Sequence, residues 1–157
     1  MTNVCVCLRQ FEYDDAELLR VNQMPDASIE EVRKIIESWK TKAFEGKYFE
    51  MFALTVNDNI VGSISLYGRG KTIVSIGAEV FPDERGKGYA AEGLKLVMEI
   101  AKEKGYQLAQ DQVRTDNAAS IALHEKLGFE TDGYVYKNAK GSDVLIYSKC
   151  LIVKNTK

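Results

Sequence analysis

"VFPDERGKGYAAEGL", residues 80–94, decides how the rest of the chain is read. The apolar run "TIVSIGAEVF", 72–81, has the β-branched content of a strand and is ended by Pro82. A polar turn with Gly86 and Gly88 follows, and an amphipathic helix starts at once, predicted over 88–104. Ala90, Leu94, Val97, Met98 and Ala101 form its apolar face, and Gly105 stops it. Glycine in such a turn lets the backbone approach a ligand closely. The free N–H groups of a helix start, aligned with the helix dipole, suit a phosphate, and Arg85 and Lys87 add positive charge. The spacing excludes a Walker A loop, because no Gly-Lys-Ser/Thr follows. It also excludes a G-x-G-x-x-G dinucleotide fingerprint, because position 91 is alanine.

Upstream, residues 4–10 read as a strand and 13–22 as a helix. "SIEE" opens a second helix with Ser28 at its N-cap and Glu31 completing a capping box. Ile29, Val32, Ile36, Trp39 and Ala43 are its predicted buried stripe, and Gly46 its stop. Strands are predicted at 49–56 and 60–67, joined through "NDN", residues that tolerate left-handed conformations. Downstream, a strand over 107–113 and a short helix over 118–127 lead to two last strands, near 130–137 and 143–152. Three consecutive strands joined by short turns imply antiparallel pairing, and the strand–helix–strand crossover over 72–113 implies a parallel pair. The expected architecture is a mixed α/β fold, with a mostly antiparallel sheet of about seven strands flanked by four helices.

A chain of 157 residues fits one domain, here 1–157, and can bury a core without disulfides or metals. A hydrophobic fraction of 45% and a charged fraction of 28% are those of a soluble globular protein. A net charge of −2 argues against a dedicated nucleic-acid binder. No stretch approaches the ~20 apolar residues of a membrane helix. "MTNVCVCLRQFEYDD" lacks the basic start and apolar run of a signal peptide, so a cytoplasmic location is expected. Cys5, Cys7 and Cys150 lack the paired spacing of a zinc site, and no metal is expected. They are read as small buried hydrophobes, with Cys5 and Cys7 on one strand face.

"RGKGYA", Arg85 to Ala90, matches the R/Q-x-x-G-x-G/A signature of the GCN5-related N-acetyltransferase (GNAT) superfamily. "NAASIALHEKLGF", 117–129, resembles that superfamily's second motif, in which an Asn opens a helix closed by a K-x-GF-like end. The order of elements fits along nearly the whole chain. The resemblance implies acetyl-coenzyme A as co-substrate, lying where the fourth strand, 72–81, and the fifth, 107–113, splay apart. It implies a bulge near Glu79 and Val80, with the backbone of Val80 and Phe81 bonded to the pantetheine. It further implies that the amides of Arg85, Gly86, Lys87, Gly88, Tyr89 and Ala90 hold the pyrophosphate, that Asn117 contacts the cofactor, and that acetyl passes directly to a primary amine.

Asn117, Ser120 and His124, the only histidine, fall in one narrow strip at about 100° per residue. That polar stripe, Ser120 included, suits a cofactor with amides and a thioester. Members of the superfamily commonly carry a tyrosine where His124 stands, assigned as the acid for the leaving thiolate. An imidazolium, pKa about 6.5, could protonate a thiolate whose thiol ionises near 8.5. Some members use a glutamate as base on the strand before the second motif, but the matching residue here is Gln112. Others use a glutamate on the central strand, which points to Glu79, set among Ile76, Gly77, Ala78, Val80 and Phe81. The catalytic candidates are therefore Glu79 and His124. The acceptor is expected to be a small-molecule or protein amine, without nucleic acid or membrane, and a homodimer is common in the superfamily. The missing tyrosine leaves a second reading open, a non-catalytic acyl-coenzyme A-binding sensor.

Overall fold

A computed structural model describes residues 4–152. One sheet runs through them in the order β1-β3-β4-β5-β6-β8-β7, with the short β2 paired to β3 beside this path. The strands are β1 (Val6–Gln10), β2 (Ala43–Phe44), β3 (Lys47–Val56), β4 (Asn59–Gly68), β5 (Ile73–Val80), β6 (Leu108–Arg114), β7 (Tyr136–Lys137) and β8 (Asp143–Cys150). The helices are α1 (Ala16–Gln23), α2 (Ile29–Trp39), α3 (Tyr89–Glu103) and α4 (Ala118–Lys126). All strand pairs are antiparallel except β5 and β6. The mixed, mostly antiparallel sheet and its four helices agree with the architecture expected from the sequence.

Alternation along the strands sorts side chains onto two faces. Phe52, Leu54, Ile64, Leu66, Val74 and Ile76 point to one face and pack against Leu94, Val97 and Ala101 of α3. Phe11, Ala53 and Phe81 point to the other, against Leu19 of α1 and Val32 and Ile36 of α2. The α2 helix starts as its capping residue dictates, since the Ser28 hydroxyl accepts from the Glu31 amide at 3.1 Å. The β3–β4 turn uses Asn57 and Asp58 at φ 50° and 71°, the left-handed pair that a tight hairpin needs.

Several expectations are corrected. Helix α2 ends at Trp39, so Ala43 lies outside its stripe and pairs with Tyr48 in the β2–β3 ladder. The first helix begins as a 3-10 turn, Tyr13–Asp15, which Asp15 holds by accepting from the Glu12 amide at 2.7 Å. The strand expected near 130–137 shrinks to β7 and a single bridge between Glu130 and Ser148. Between them the side chain of Thr131 accepts from the Gly133 amide and that of Asp132 from the Tyr134 amide, local turns that compete with strand pairing. The bulge near Glu79 and Val80 is absent, because β4 and β5 pair without interruption from Gly62–Val80 to Gly68–Val74. The extra residue sits one strand away, in β4, where the β3–β4 register shifts beside Leu54 and Thr55. Cys5, Cys7 and Cys150 are exposed rather than buried. Val6 and Leu8 turn to the core, so Cys5 and Cys7 face away from it with their sulfurs 3.3 Å apart.

Candidate active site

The sheet opens between β5 and β6. The two strands pair only from Ile73–Leu108 to Ser75–Gln110, whereas β6 stays paired with β8 on its other edge from Leu108 to Arg114. The Phe81 amide donates to the Val61 carbonyl at 2.7 Å, toward β4. Backbone direction alternates along a strand, so the N–H and C=O groups of Ala78 and Val80 point the opposite way, into the opening. Arg85 covers one of them, its Nε donating to the Val80 carbonyl at 3.0 Å. The Val80 N–H is thus a strand-edge donor facing a gap.

At the mouth of that gap stands the start of α3. Gly86 and Gly88 have φ of 79° and 82°, and a side chain at either would meet nothing within 4 Å. Gly88 is the N-cap and offers no side chain to the first turn. Among the described residues, the amides of Gly88, Tyr89, Ala90 and Ala91 have no protein acceptor. They are free donors at the positive end of the helix, the arrangement that can accept an anion.

A cleft of about 800 Å³ joins these features. Glu79, Val80, Arg85, Gly86, Gly88, Tyr89, Ala90, Asn117, Ser120 and His124 all line it. Two expected residues do not. Phe81 is 3% exposed in the core, and both its backbone groups are taken, the amide by Val61 and the carbonyl by the Glu84 amide. It is therefore no donor to a ligand. The Lys87 side chain pairs with Glu84 at 3.1 Å, and only its backbone stays in the turn. Asn117 caps α4 through its Oδ1, which accepts from the Ser120 amide at 3.0 Å. That leaves its amide NH₂ as the group able to reach a ligand.

Glu79 is exposed and shares the α1/α2 face of β5 with the Ser63 position of β4, where Gln23 of α1 bonds the Ser63 hydroxyl at 3.0 Å. His124 lies on the opposite face and is 2% exposed. Its Nε2 is 2.7 Å from Asp111 Oδ2 and its Nδ1 is 2.8 Å from the Ser120 carbonyl. Asp111 also lines the cleft. Burial pushes the Asp111 carboxyl above the usual carboxylate range. Burial by itself would lower the His124 imidazole, but Asp111 and the Ser120 carbonyl outweigh it and raise it above the ordinary histidine value. The polar stripe of α4 therefore carries a histidine bonded to a carboxyl, not a free imidazole. Asp111 escaped the sequence reading, although a signal existed: it alternates with Ala109 and Val113 and so occupies the buried face of its strand.

The cleft, the opened sheet and the glycine-bordered helix start together fit a diphosphate joined to an extended, amide-bearing arm. Over residues 6–130 the chain matches the family described as acetyltransferase (GNAT) domain. It belongs to the GNAT acetyltransferase family. The SPbeta prophage-derived uncharacterized N-acetyltransferase YokL of Bacillus subtilis (strain 168) is 32% identical over 130 residues, which are 81% of this chain and 72% of that one. Among solved structures, the RimL ribosomal L7/L12 alpha-N-protein acetyltransferase in complex with coenzyme A superposes with a TM-score of 0.79 at 20% identity, covering 92% of this chain and 93% of that one. The yncA structure from Salmonella typhimurium with its cofactor acetyl-CoA does so with 0.70 at 16% identity, covering 99% and 98%. As a GNAT enzyme the chain is an acyltransferase that depends on acetyl-coenzyme A. Among the described residues, no group of three or more His, Cys, Asp or Glu is placed to hold a metal ion, and no helix is long and apolar enough to cross a membrane.

Proposed function

We propose that this GNAT enzyme moves the acetyl group of acetyl-coenzyme A directly to a primary amine, entering from the α1/α2 face of the opened sheet. The observation that carries the reading is the juxtaposition of an unpaired β5 edge with the free amides that begin α3. In this reading the amides of Gly86 to Ala91 hold the diphosphate, and the Val80 N–H aligns the arm as an added strand would. Asn117 and Ser120 border the arm from α4. When bound, acetyl-coenzyme A supplies an activated thioester carbonyl and a thiol leaving group. The enzyme's first contribution is alignment of the two reactants. Glu79, on the acceptor face, takes the amine's proton through water. His124, on the other face, stands with Asp111 on the leaving-group side.

The family match gives no support to a coenzyme-binding module without turnover. The acceptor class is a small amine or a protein amine, and the structurally similar RimL is a ribosomal L7/L12 alpha-N-protein acetyltransferase. Incubating the protein with acetyl-coenzyme A and a panel of polyamines, amino acids and peptides with free N-termini should release free thiol with one class. Coenzyme binding without thiol release from any amine would refute the proposal. Glu79→Gln should lower kcat by roughly 10²-fold, as loss of a general base does, while leaving the affinity for coenzyme A unchanged.

A further inference from the structure

The hydrogen bonds of His124 give it and Asp111 a role that rests on the acetyl-transfer reading above. A backbone carbonyl can only accept, so the Nδ1 atom facing Ser120 must carry a proton. The other nitrogen, Nε2, meets a carboxyl oxygen at 2.7 Å. An ionised carboxylate also can only accept, so one proton must lie between the two groups, on the ring or on Asp111. In either arrangement the pair is neutral and stores one proton. His124 has both nitrogens engaged and is 2% exposed, so it cannot itself turn a nitrogen to the cleft. Asp111 is the more open member, with 18% of its side chain exposed; Oδ2 meets the ring and the Gln112 backbone amide also approaches the carboxyl.

We propose that Asp111 and His124 act as one acid, in which Asp111 is the member presented to the cleft and His124 holds it in place and shares its proton. The pair gives this proton to the sulfur on which the electrons of the breaking carbon–sulfur bond depart. The amine's proton leaves through Glu79 and water as the carbon–nitrogen bond forms, and solvent recharges the pair, so protons and electrons balance. Among the described residues, the aromatic groups packed on the imidazole offer no proton to the cleft. Tyr147 of β8, its ring 5.7 Å from that of His124, bonds Glu125 at 3.3 Å. Phe129 packs edge-on to the imidazole at 5.1 Å. Of the other charged groups along the cleft, Glu84 pairs with Lys87, Arg114 with Asp116, and Arg85 bonds the Val80 carbonyl.

The test uses the fact that His124 is the only histidine, so its ring resonances need no assignment. In the coenzyme-free wild type, NMR titration should show Nδ1 protonated throughout and a ring transition above the ordinary value of about 6.5. In Asp111→Asn the transition should move down by roughly one pH unit or more. A wild-type ring that titrates at or below the ordinary value overturns the assignment, whether or not the variant folds. In turnover, Asp111→Asn should lower kcat by roughly 10²-fold and change the alkaline limb of its pH profile, with coenzyme A affinity kept within about twofold. A variant with wild-type kcat and pH profile shows the pair to be a latch between α4 and β6, and also overturns it. Absence of any acetyl transfer by the wild type would instead count against the function proposed above, and leaves the NMR result interpretable by itself.

Discussion

Gly62 illustrates how one missing methyl shapes the site. A Cβ there would lie 2.2 Å from the Glu79 carbonyl oxygen and 2.9 Å from the Val80 Cα, both backbone atoms of β5. Backbone cannot rotate aside, so Gly62→Ala must push β5 outward, where Glu79 and Val80 border the cleft. The expected result is a loss of about 2–3 kcal/mol in chemical denaturation, the upper part of the range for overpacking, together with weakened coenzyme A binding. Gly93 in α3 is the contrasting case. Its added Cβ would meet Ile64 Cδ1 at 2.7 Å and Leu54 Cδ1 at 3.0 Å, the ends of side chains that can shift. Alanine also gains about 1 kcal/mol of helix propensity there. Gly93→Ala should therefore cost less than Gly62→Ala in the same denaturation experiment and leave coenzyme affinity unchanged.

At the scale of elements, the start of α3 and the start of α2 are built by opposite means. Ser28 satisfies an amide of α2 with its own hydroxyl, so Ser28→Ala should cost about 1 kcal/mol in thermal or denaturant unfolding and leave kcat/KM untouched. Gly88 leaves the amides of α3 unsatisfied and takes φ of 82° to aim them at the cleft. Gly88→Ala meets no steric obstacle but must hold a left-handed backbone, a strain of about 1–2 kcal/mol. That strain should appear as roughly a tenfold loss in coenzyme A affinity, measured calorimetrically. The β5–α3 crossover was legible from the sequence because a strand-ending proline, two glycines and an apolar helical stripe occur in immediate succession. The 130–137 stretch falls short of a full strand despite the strand-forming side chains of Tyr134, Val135 and Tyr136, because Thr131 and Asp132 cap turns within it.

For the molecule as a whole, two pairs, the half-buried Arg9–Asp15 and the more buried Asp111–His124, set opposite ends of the stability–pH curve. Burial raises Asp15, but Arg9 and the Glu12 amide outweigh this and hold the carboxyl below its usual range. Its stabilisation is complete above the unfolded value near 3.9 and is lost as pH falls through the lower folded value. Asp15→Asn should flatten that acid limb and cost about 1 kcal/mol at neutral pH, since it removes the charge that Arg9 pairs with while the amide oxygen can still accept from the Glu12 amide. The Asp111–His124 pair has the reverse sign. Its protonated state is favoured by folding, so its contribution is full below about 6.5 and fades as pH rises through the raised folded value. Wild-type stability should decline across that alkaline window and Asp111→Asn should not, as denaturation series at stepped pH would register.

The sequence by itself determined the order of elements, the mixed sheet, the glycine-bordered helix start and the family to which they belong. These depend on local chemistry: period, capping, and the conformations open to glycine and proline. Only the tertiary structure decided which strand carries the bulge, that the cysteines face outward, that the Phe81 amide is already spent on β4, and that Asp111 closes on His124. Each of these is a contact between residues distant along the chain or a choice between two faces of a strand. Such choices depend on what packs across from a residue, which no spacing within the chain encodes.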